Sequence, residues 1–380
     1  MPRMPITVAG RFPPPLDGQA IATARLADLL DIPGGPFEVE RLNLGAPEGS
    51  RLVSGTPFSP ARAAHFVRQR GAVRRALTAR PEAPVLWPSI SPSPLGHARD
   101  LLTVVPGFGA RRVVAVVHRG DFARLFASPL TRRTGLRLAR RLHRIVFLTA
   151  GLSKQCARWL PAHQRAVVPN TIDDVATPSP EELAEARVRR TTRGGARLLY
   201  LSGMIPSKGY PDVLEALGRL RARGVDARAT FAGRWPSAEA EAAFRSRIAV
   251  LGLTENADVL GGVSDRDAVR RLYLDADVFV LPTTYPVEAQ PLTVIEALAA
   301  GTPVVVTRHA GLPEMVREGV EAGFVPAGAP DAIADAVERL TAPGAWIPYS
   351  VAARARFDVA FSPRVVREAW TALLGAPSVA

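Results

Sequence analysis

The sequence contains a single cysteine, Cys156, among its 380 residues. One cysteine cannot form a disulfide within the chain, and no further Cys or clustered His lies near Cys156 at a metal-ligand spacing. The length also allows two full hydrophobic cores. We therefore exclude a disulfide-stabilised miniprotein, and we expect Cys156 to be a small, buried apolar residue.

Long apolar runs are also missing. No stretch reaches the roughly 18 apolar residues that a transmembrane helix needs. The residues before the prolines at 13–15 lack the continuous apolar core of a secretory signal. Apolar residues make up 47% of the chain and charged residues 22%, which is typical of a soluble globular protein. We expect a cytoplasmic location.

Lysine is nearly absent, because Lys154 and Lys208 are the only two among 48 basic residues. Residues 1–170 hold 25 basic and 9 acidic side chains, whereas residues 171–380 hold 23 and 26. The basic half suits an anionic partner: lipid headgroups, a phosphorylated acceptor or nucleic acid. Aromatic residues are only 6% and no nucleic-acid reader motif is present, so we expect no nucleic-acid partner.

Six arginines between Arg132 and Arg144 alternate with apolar residues and predict a helix with one basic face. Two interpretations stay open for it. The face is either simply solvated or lies on an anionic membrane surface, which would place the protein at the inner face of the membrane.

Short apolar runs that favour strands alternate with helical patterns throughout the chain, which predicts parallel βαβ units in a doubly wound α/β fold. The predicted strands are 6–9, 85–87, 113–117, 145–148, 197–201, 229–232, 278–281 and 304–306. A break near residues 167–174 separates a domain over 1–168 from one over 169–360. Residues 361–380 predict a helix that packs back across the domains.

Residues 281–306 are the most informative stretch. They predict a strand, a polar loop, a helix from near Pro291 to Gly301 and a further strand. Such a loop lies at the carboxyl edge of the sheet, and the backbone N–H groups around 291–293 suit a diphosphate. Glu288 and Glu296 stand eight positions apart. They either grip the hydroxyls of a nucleotide sugar, or complement the helix dipole and cap the helix.

This stretch closely resembles the family-four retaining glycosyltransferases of the GT-B fold. Their pattern runs Glu-x7-Glu-Ala, Ala-x-Gly-x-Pro-Val and Gly-Gly-x-x-Glu, and its last part corresponds here to residues 309–314. The resemblance continues through 201–209, which is like the family's Lys-Gly loop, and through the linker 168–173. It implies two Rossmann-like domains facing a cleft, and transfer from a nucleotide-diphosphate sugar with retention of configuration, without a metal or other cofactor.

The resemblance also implies roles for individual residues. Lys208 would neutralise the departing diphosphate, Glu288 would contact the sugar and Glu296 the ribose. His118, at the end of strand 113–117, would sit beside the reacting carbon and be oriented by Asp121. The catalytic set is therefore His118, Lys208 and Glu288. The donor-binding set is Gly18, Gly203, Lys208, Arg234, Glu288, Ala289, Gln290, Pro291, Leu292 and Glu296.

The sequence departs from the family pattern at two positions. Gly203 stands where many members have an arginine, and Arg234 is a candidate to supply that charge. Gln19 replaces the second glycine of a Pro-Pro-x-x-Gly-Gly loop. A protein that binds nucleotide sugars or glycans without turnover is therefore the alternative to a transferase acting on a glycan or lipid-linked acceptor.

Asp275-Ala276-Asp277 is similar to the metal-binding Asp-x-Asp of another glycosyltransferase fold. It comes directly before the predicted buried strand 278–281, so we interpret it as structural and expect no metal site. Ser264-Asp265 is predicted to cap a helix.

Overall fold

The computed structural model describes residues 3–14, 18–45, 60–88, 90–107 and 112–375. The chain divides into two compact units. The N-terminal unit comprises Met1–Asn170 and Val366–Ala380, and the C-terminal unit comprises Thr171–Val365. The unit boundaries therefore fall two residues after the predicted end at 168 and five residues after the predicted end at 360.

The N-terminal unit is built on one parallel sheet with strand order β2-β1-β3-β4-β5-β6. Its strands are β1 (Met4–Gly10), β2 (Phe37–Asn43), β3 (Val85–Trp87), β4 (Val113–Val117), β5 (Arg144–Phe147) and β6 (Arg165–Val167). All five residues of β4 are buried, as expected for a central strand that is covered on both faces.

Seven helices of the described residues belong mainly to this unit. They are α1 (Gly18–Leu30), α2 (Pro60–Ala79), α3 (Pro94–Gly107), α4 (Arg124–Ala127), α5 (Pro129–Ala139), α6 (Ala150–Gln155) and, at the other end of the chain, α15 (Pro363–Leu374). Val366, Trp370 and Leu374 of α15 lie in the same apolar cluster as Leu26 and Leu30 of α1. Their spacing of four residues places them on one face of the helix.

The C-terminal unit has a second parallel sheet with strand order β12-β11-β10-β7-β8-β9. Its strands are β7 (Ala196–Leu201), β8 (Ala227–Ala232), β9 (Ala257–Gly261), β10 (Val278–Leu281), β11 (Val304–Thr307) and β12 (Ala322–Val325). Two parallel six-stranded sheets confirm the predicted α/β class with two doubly wound units.

The helices of the C-terminal unit follow local sequence signals. They are α7 (Pro180–Arg193), α8 (Tyr210–Ala222), α9 (Ala238–Val250), α10 (Arg266–Asp275), α11 (Leu292–Ala299), α12 (Leu312–Met315), α13 (Pro330–Thr341) and α14 (Trp346–Ala360). Helix α7 begins with a capping box between Ser179 and Glu182. Asp265 caps α10, as predicted. After α11, Gly301 adopts φ +64° and the Thr302 amide donates to the Ala297 carbonyl, which ends the helix.

All eight predicted strands are present, and β2, β6, β9 and β12 were missed. These four are the edge strands of the two sheets. An edge strand has one unpaired side and tolerates polar residues, as in the alternating burial of β9. The continuous apolar pattern that identifies central strands is therefore missing from β2 and β9. Strand β12 is apolar, but it is only four residues long and includes a glycine.

Asp277 lies at the amino end of β10, opposite the edge where loops follow the strands. Its carboxylate is fully buried and pairs with Arg190 at 2.8 Å and Arg193 at 2.6 Å. It also accepts the Arg197 amide at 2.7 Å. Asp275, by contrast, is 62% exposed and lies 3.5 Å from Arg189. The Asp-x-Asp motif therefore joins α7 to the sheet, which agrees with the structural interpretation.

No helix of the described ranges has the length and apolarity required to cross a membrane. Cys156 is fully buried, and burial raises the pKa of its thiol to about 12. It is therefore an unreactive core residue, as predicted.

We predict that Asp277→Ala destabilises the protein by about 3–5 kcal/mol, because it leaves two arginines without their buried counter-charge. Urea denaturation measures the effect. Asp275→Ala is the matched control from the same motif and is expected to cost under about 1 kcal/mol, since its ion pair is exposed. Equal losses in the two variants would contradict the structural role of Asp277.

Candidate functional site

The C-terminal sheet has a topological switch point between β7 and β10. The chain runs from β7 outward through β8 and β9, then returns to β10 and runs outward through β11 and β12 on the other side. In open α/β sheets, ligands bind in the crevice outside the carboxyl ends of the two strands at such a point. The loops after β7 and β10 therefore frame the candidate site.

The loop after β7 places Lys208 at this edge. Pro206–Lys208 form a single 3-10 turn, and Gly209 then adopts φ +89°. A side chain at Gly209 would meet the Pro282 carbonyl at 2.6 Å, so the close approach of the two loops requires glycine. The Thr284 amide donates to the Ser207 carbonyl at 2.7 Å and holds the loops together.

Lys208 and Glu288 meet across these two loops. The Lys208 Nζ lies 3.1 Å from Glu288 Oε2, and their side chains are only 18% and 10% exposed. The same ammonium lies 4.9 Å from the centre of the Tyr285 ring, a cation–π contact. His309 Nε2 lies 2.8 Å from the Tyr285 carbonyl oxygen and holds that segment from the loop after β11.

Helix α11 begins directly beyond Glu288. Its N-cap is Pro291, which provides no side-chain hydrogen bond to the first turn. Pro291 also has no N–H group, so the expectation of donors across 291–293 is wrong at its first position. Among the residues described, the Leu292 and Thr293 amides meet no acceptor. The helix thus presents two N–H groups and its positive dipole end to the edge beside Lys208.

Glu296 is one turn into α11. It is 8% exposed, and its Oε2 accepts a hydrogen bond from the Tyr273 hydroxyl at 3.2 Å. Tyr273 is a core residue at the end of α10. The carboxylate is therefore held in a fixed position. Its assignment to the ribose stays a prediction.

Gly203 and Arg234 lie in the loops after β7 and β8. The Met204 amide donates to the Arg234 carbonyl at 3.0 Å, which ties the two loops together. The Arg234 side chain is exposed and has no ion pair with any described residue. A Cβ placed on Gly203 would meet only Ile205, at 3.8 Å. A larger side chain thus has room at 203, and Arg234 is an unpaired cation at the same edge.

The N-terminal sheet has its own switch point, between β1 and β3. Gly18 is the first residue of α1, and residues 15–17 of the preceding loop lie outside the described part of the chain. The Gln19 side-chain amide donates to the Pro88 carbonyl at 3.1 Å, which connects the loops after β1 and β3. Gln19, the departure from the family pattern, thus has a structural contact.

His118 follows β4 at the same edge of the N-terminal sheet. Its Nε2 is buried without a hydrogen-bond partner among the described residues, and burial lowers the pKa of the ring to about 4. The imidazole is therefore neutral near pH 7. The expectation that Asp121 orients His118 is wrong, because both Asp121 oxygens accept from the Arg119 guanidinium at 2.9 Å.

Sequence reasoning did not identify Tyr285, Tyr273 or His309. The Tyr285 contact has a local signal, since this residue lies in the loop already singled out. His309 also lies in a segment already singled out, residues 309–314, but its contact with the Tyr285 carbonyl forms only in the folded chain. Tyr273 had no local signal, because its hydrogen bond to Glu296 joins two separate helices.

The chain is similar in sequence to known glycosyltransferases. Residues 185–344 match the sequence model of the glycosyl transferases group 1. An amylovoran biosynthesis glycosyltransferase, AmsK of Erwinia amylovora, is 27% identical over 67% of this chain and 58% of its own length. A GDP-mannose-dependent phosphatidylinositol dimannoside mannosyltransferase of Mycobacterium tuberculosis is 30% identical over 51% of this chain and 48% of its own. The chain thus spans about half of these curated relatives.

Among solved structures, Anabaena Alr3699/HepE in complex with UDP superposes with a TM-score of 0.68. The alignment covers 98% of this chain and 99% of that one at 17% identity, which establishes the shared fold. The fold is therefore GT-B, as the resemblance implied.

We predict that Glu288→Gln binds free UDP or GDP about tenfold more tightly than the wild type, a gain of about 1.4 kcal/mol. The substitution releases Lys208 from its carboxylate and removes a negative charge from the diphosphate site. Isothermal titration measures the affinity. Glu255→Gln, an exposed change of equal charge in the same unit, is the control and is expected to bind as the wild type does. Weaker binding by Glu288→Gln would contradict this geometry.

His118 makes folding stability depend on pH. Its folded pKa of about 4 is below the ordinary value of 6.5, so the unfolded chain binds the proton first. The contribution to stability is complete above pH 6.5 and falls as the pH decreases toward 4. We therefore expect His118→Asn to lose less stability over this range than the wild type, as measured by denaturation at each pH. His163→Asn, an exposed control, should follow the wild type.

Proposed function

We propose that this chain, whose residues 185–344 match the group 1 glycosyl transferases, transfers a sugar from a nucleotide-diphosphate sugar to a glycan or lipid-linked acceptor, with retention of anomeric configuration. The observation that carries the proposal is the Lys208–Glu288 pair at the switch point of the C-terminal sheet. It lies within the segment that matches the family.

The site has the charges that a leaving diphosphate needs. Lys208 provides a compact ammonium, Arg234 an exposed guanidinium, and the start of α11 two free N–H groups. These groups are preorganised, because the loops are fixed by Gly209 and by the bond from Thr284 to Ser207. Preorganised charge that faces the developing oxyanion is usually the largest single contribution to catalysis.

In the proposed reaction, the bond between the anomeric carbon and the diphosphate oxygen breaks, and its electron pair leaves with the nucleoside diphosphate. The acceptor hydroxyl forms the new bond on the same face of the sugar. Its proton passes to an oxygen of the leaving diphosphate, so no protein nucleophile is needed. Glu288 contacts the transferred sugar and Glu296 the ribose. The role of His118 toward the sugar rests on the resemblance alone.

We also propose that transfer needs no metal ion. Lys208, Arg234 and the dipole of α11 provide positive charge for the diphosphate. The buried carboxylate of Asp275-Ala276-Asp277 is committed to Arg190 and Arg193 at the opposite edge of the sheet. Turnover should therefore be unchanged by a chelator.

The class of acceptor is proposed from the relatives. One acts in amylovoran biosynthesis and another on a phosphatidylinositol mannoside, as their names state. These names suggest a polysaccharide or a glycolipid as the acceptor of this chain. The cytoplasm stays its predicted location.

A thermal-shift panel of UDP-, GDP-, ADP- and dTDP-sugars tests donor binding. A donor at 100 times its dissociation constant should add about 2.7 kcal/mol of stability. We expect one donor to stabilise the wild type but not Lys208→Gln or Glu296→Ala. Turnover of that donor, with an axial or equatorial product bond assigned by NMR, then tests transfer with retention. Binding without turnover under any acceptor would favour the non-catalytic alternative.

Gly203→Arg tests whether the site lacks one positive charge. The position has room for the side chain, and the new guanidinium would reach the edge shared with Arg234. We expect donor affinity to rise by about tenfold at low salt and the gain to shrink as salt increases. Gly203→Ala is the control for backbone effects. An unchanged affinity in Gly203→Arg would show that Arg234 and Lys208 already satisfy the diphosphate.

A further inference from the structure

Positive charge in the N-terminal unit is concentrated in one stretch of the chain. Residues 60–144 contain 17 arginines and three acidic residues. Two of the three carboxylates are already bound within the unit, Asp100 by Arg99 at 2.6 Å and Asp121 by Arg119 at 2.9 Å. Arg124 also lies near Asp121, and Arg80 pairs with Glu38, so the other described arginines of this stretch have no ion pair within the described residues.

The helices of this stretch lie on one face of the sheet. The connections from β2 to β3, from β3 to β4 and from β4 to β5 all step in the same direction across the strand order. Right-handed crossovers then place α2, α3 and α5 on the same side. Helix α3 packs against both α2 and α5, so the three form one continuous layer. The connection from β1 to β2 runs in the opposite direction, so α1 lies on the other face of the sheet, together with α15.

The outer surface of this layer is strongly basic. Its exposed arginines form no ion pair with any residue in the described ranges. They include Arg68, Arg74, Arg75, Arg133, Arg137 and Arg140. We call the outer surface of α2, α3 and α5 the basic layer. No acidic residue is present on α2 or α5.

The same surface exposes large aliphatic side chains. Val67 is 71% exposed, Leu130 is 79%, and Leu95 and Leu102 are 54% and 55%. These are four of the five exposed large apolar residues described in the N-terminal unit. Scattered single leucines are ordinary, but their concentration among unpaired arginines on one layer marks an interaction surface.

We infer that the basic layer of α2, α3 and α5 docks on an anionic lipid bilayer. The arginines would bind lipid phosphates, and Leu130 and its aliphatic neighbours would enter the boundary between headgroups and acyl chains. Aliphatic residues favour lipid over nucleic acid, for which exposed aromatic side chains would provide stacking, and the described residues expose no large aromatic. The inference goes beyond sugar transfer and does not depend on it.

Flotation with vesicles tests the charge. The probe is the full chain with vesicles of phosphatidylcholine alone or mixed equally with phosphatidylglycerol. We expect binding to the anionic vesicles only, and Arg133→Glu/Arg137→Glu should lower the partition coefficient by more than about tenfold. Arg228→Glu/Arg271→Glu makes the same change of charge at exposed positions of the C-terminal unit and should reduce it far less.

Leu130→Ser tests insertion separately from attraction. At about 1 M salt, where charges more than about 3 Å apart are screened, the remaining binding should depend on the apolar side chains. We expect Leu130→Ser to lower it, and Val250→Ser, a 75% exposed control on the C-terminal unit, to leave it unchanged. Thermal midpoints and nucleoside diphosphate affinity of each variant confirm folding.

Three results would overturn the inference: equal binding to neutral and anionic vesicles, equal losses in the two arginine pairs, or retention on duplex DNA with none on vesicles. Donor binding is measured on the same samples. Failure of docking with intact donor binding therefore rejects this inference alone, and the converse result rejects the transferase proposal alone.

Discussion

The ion pair between Lys208 and Glu288 is the interaction on which the candidate site depends. Eighty residues separate the partners in sequence, and only the pairing of β7 with β10 brings their loops to one edge. Both side chains are largely buried, so separating the pair would leave a poorly solvated charge. In the proposed reaction, a diphosphate bound beside Lys208 would replace the Glu288 carboxylate as the counter-charge of the ammonium.

Several features of the C-terminal unit serve this arrangement. Gly209 lets the Lys208 turn approach Pro282, and a side chain at Gly233 would overlap the Ser202 carbonyl where the loops after β7 and β8 meet. Tyr273 fixes Glu296 from the core. Ala310, where the family pattern has a glycine, takes φ +49°, an uncommon conformation for a residue with a side chain. The next residue, Gly311, donates its amide to the Ala289 carbonyl at 3.0 Å, which joins this loop to the one after β10.

The central strands, the switch-point loop over 281–291 and the structural role of Asp277 could be predicted from the sequence. Each lies in or directly beside an apolar strand pattern. The edge strands β2 and β9 lacked such a signal, because partly buried and exposed residues alternate along most of their length. The contact of Asp121 with Arg119 instead of His118 depends on side-chain geometry that spacing does not encode. The resemblance assigned both Lys208 and Glu288 to the catalytic set. The ion pair between them could not be predicted, because it forms only when the two loops meet in the folded chain.

A structure of the protein soaked with UDP or GDP tests the central claim most directly. The account predicts the terminal phosphate within hydrogen-bonding distance of Lys208 Nζ and of the Leu292 or Thr293 amide, with the Lys208–Glu288 distance longer than its present 3.1 Å. A nucleotide bound elsewhere, with that ion pair undisturbed, would contradict it.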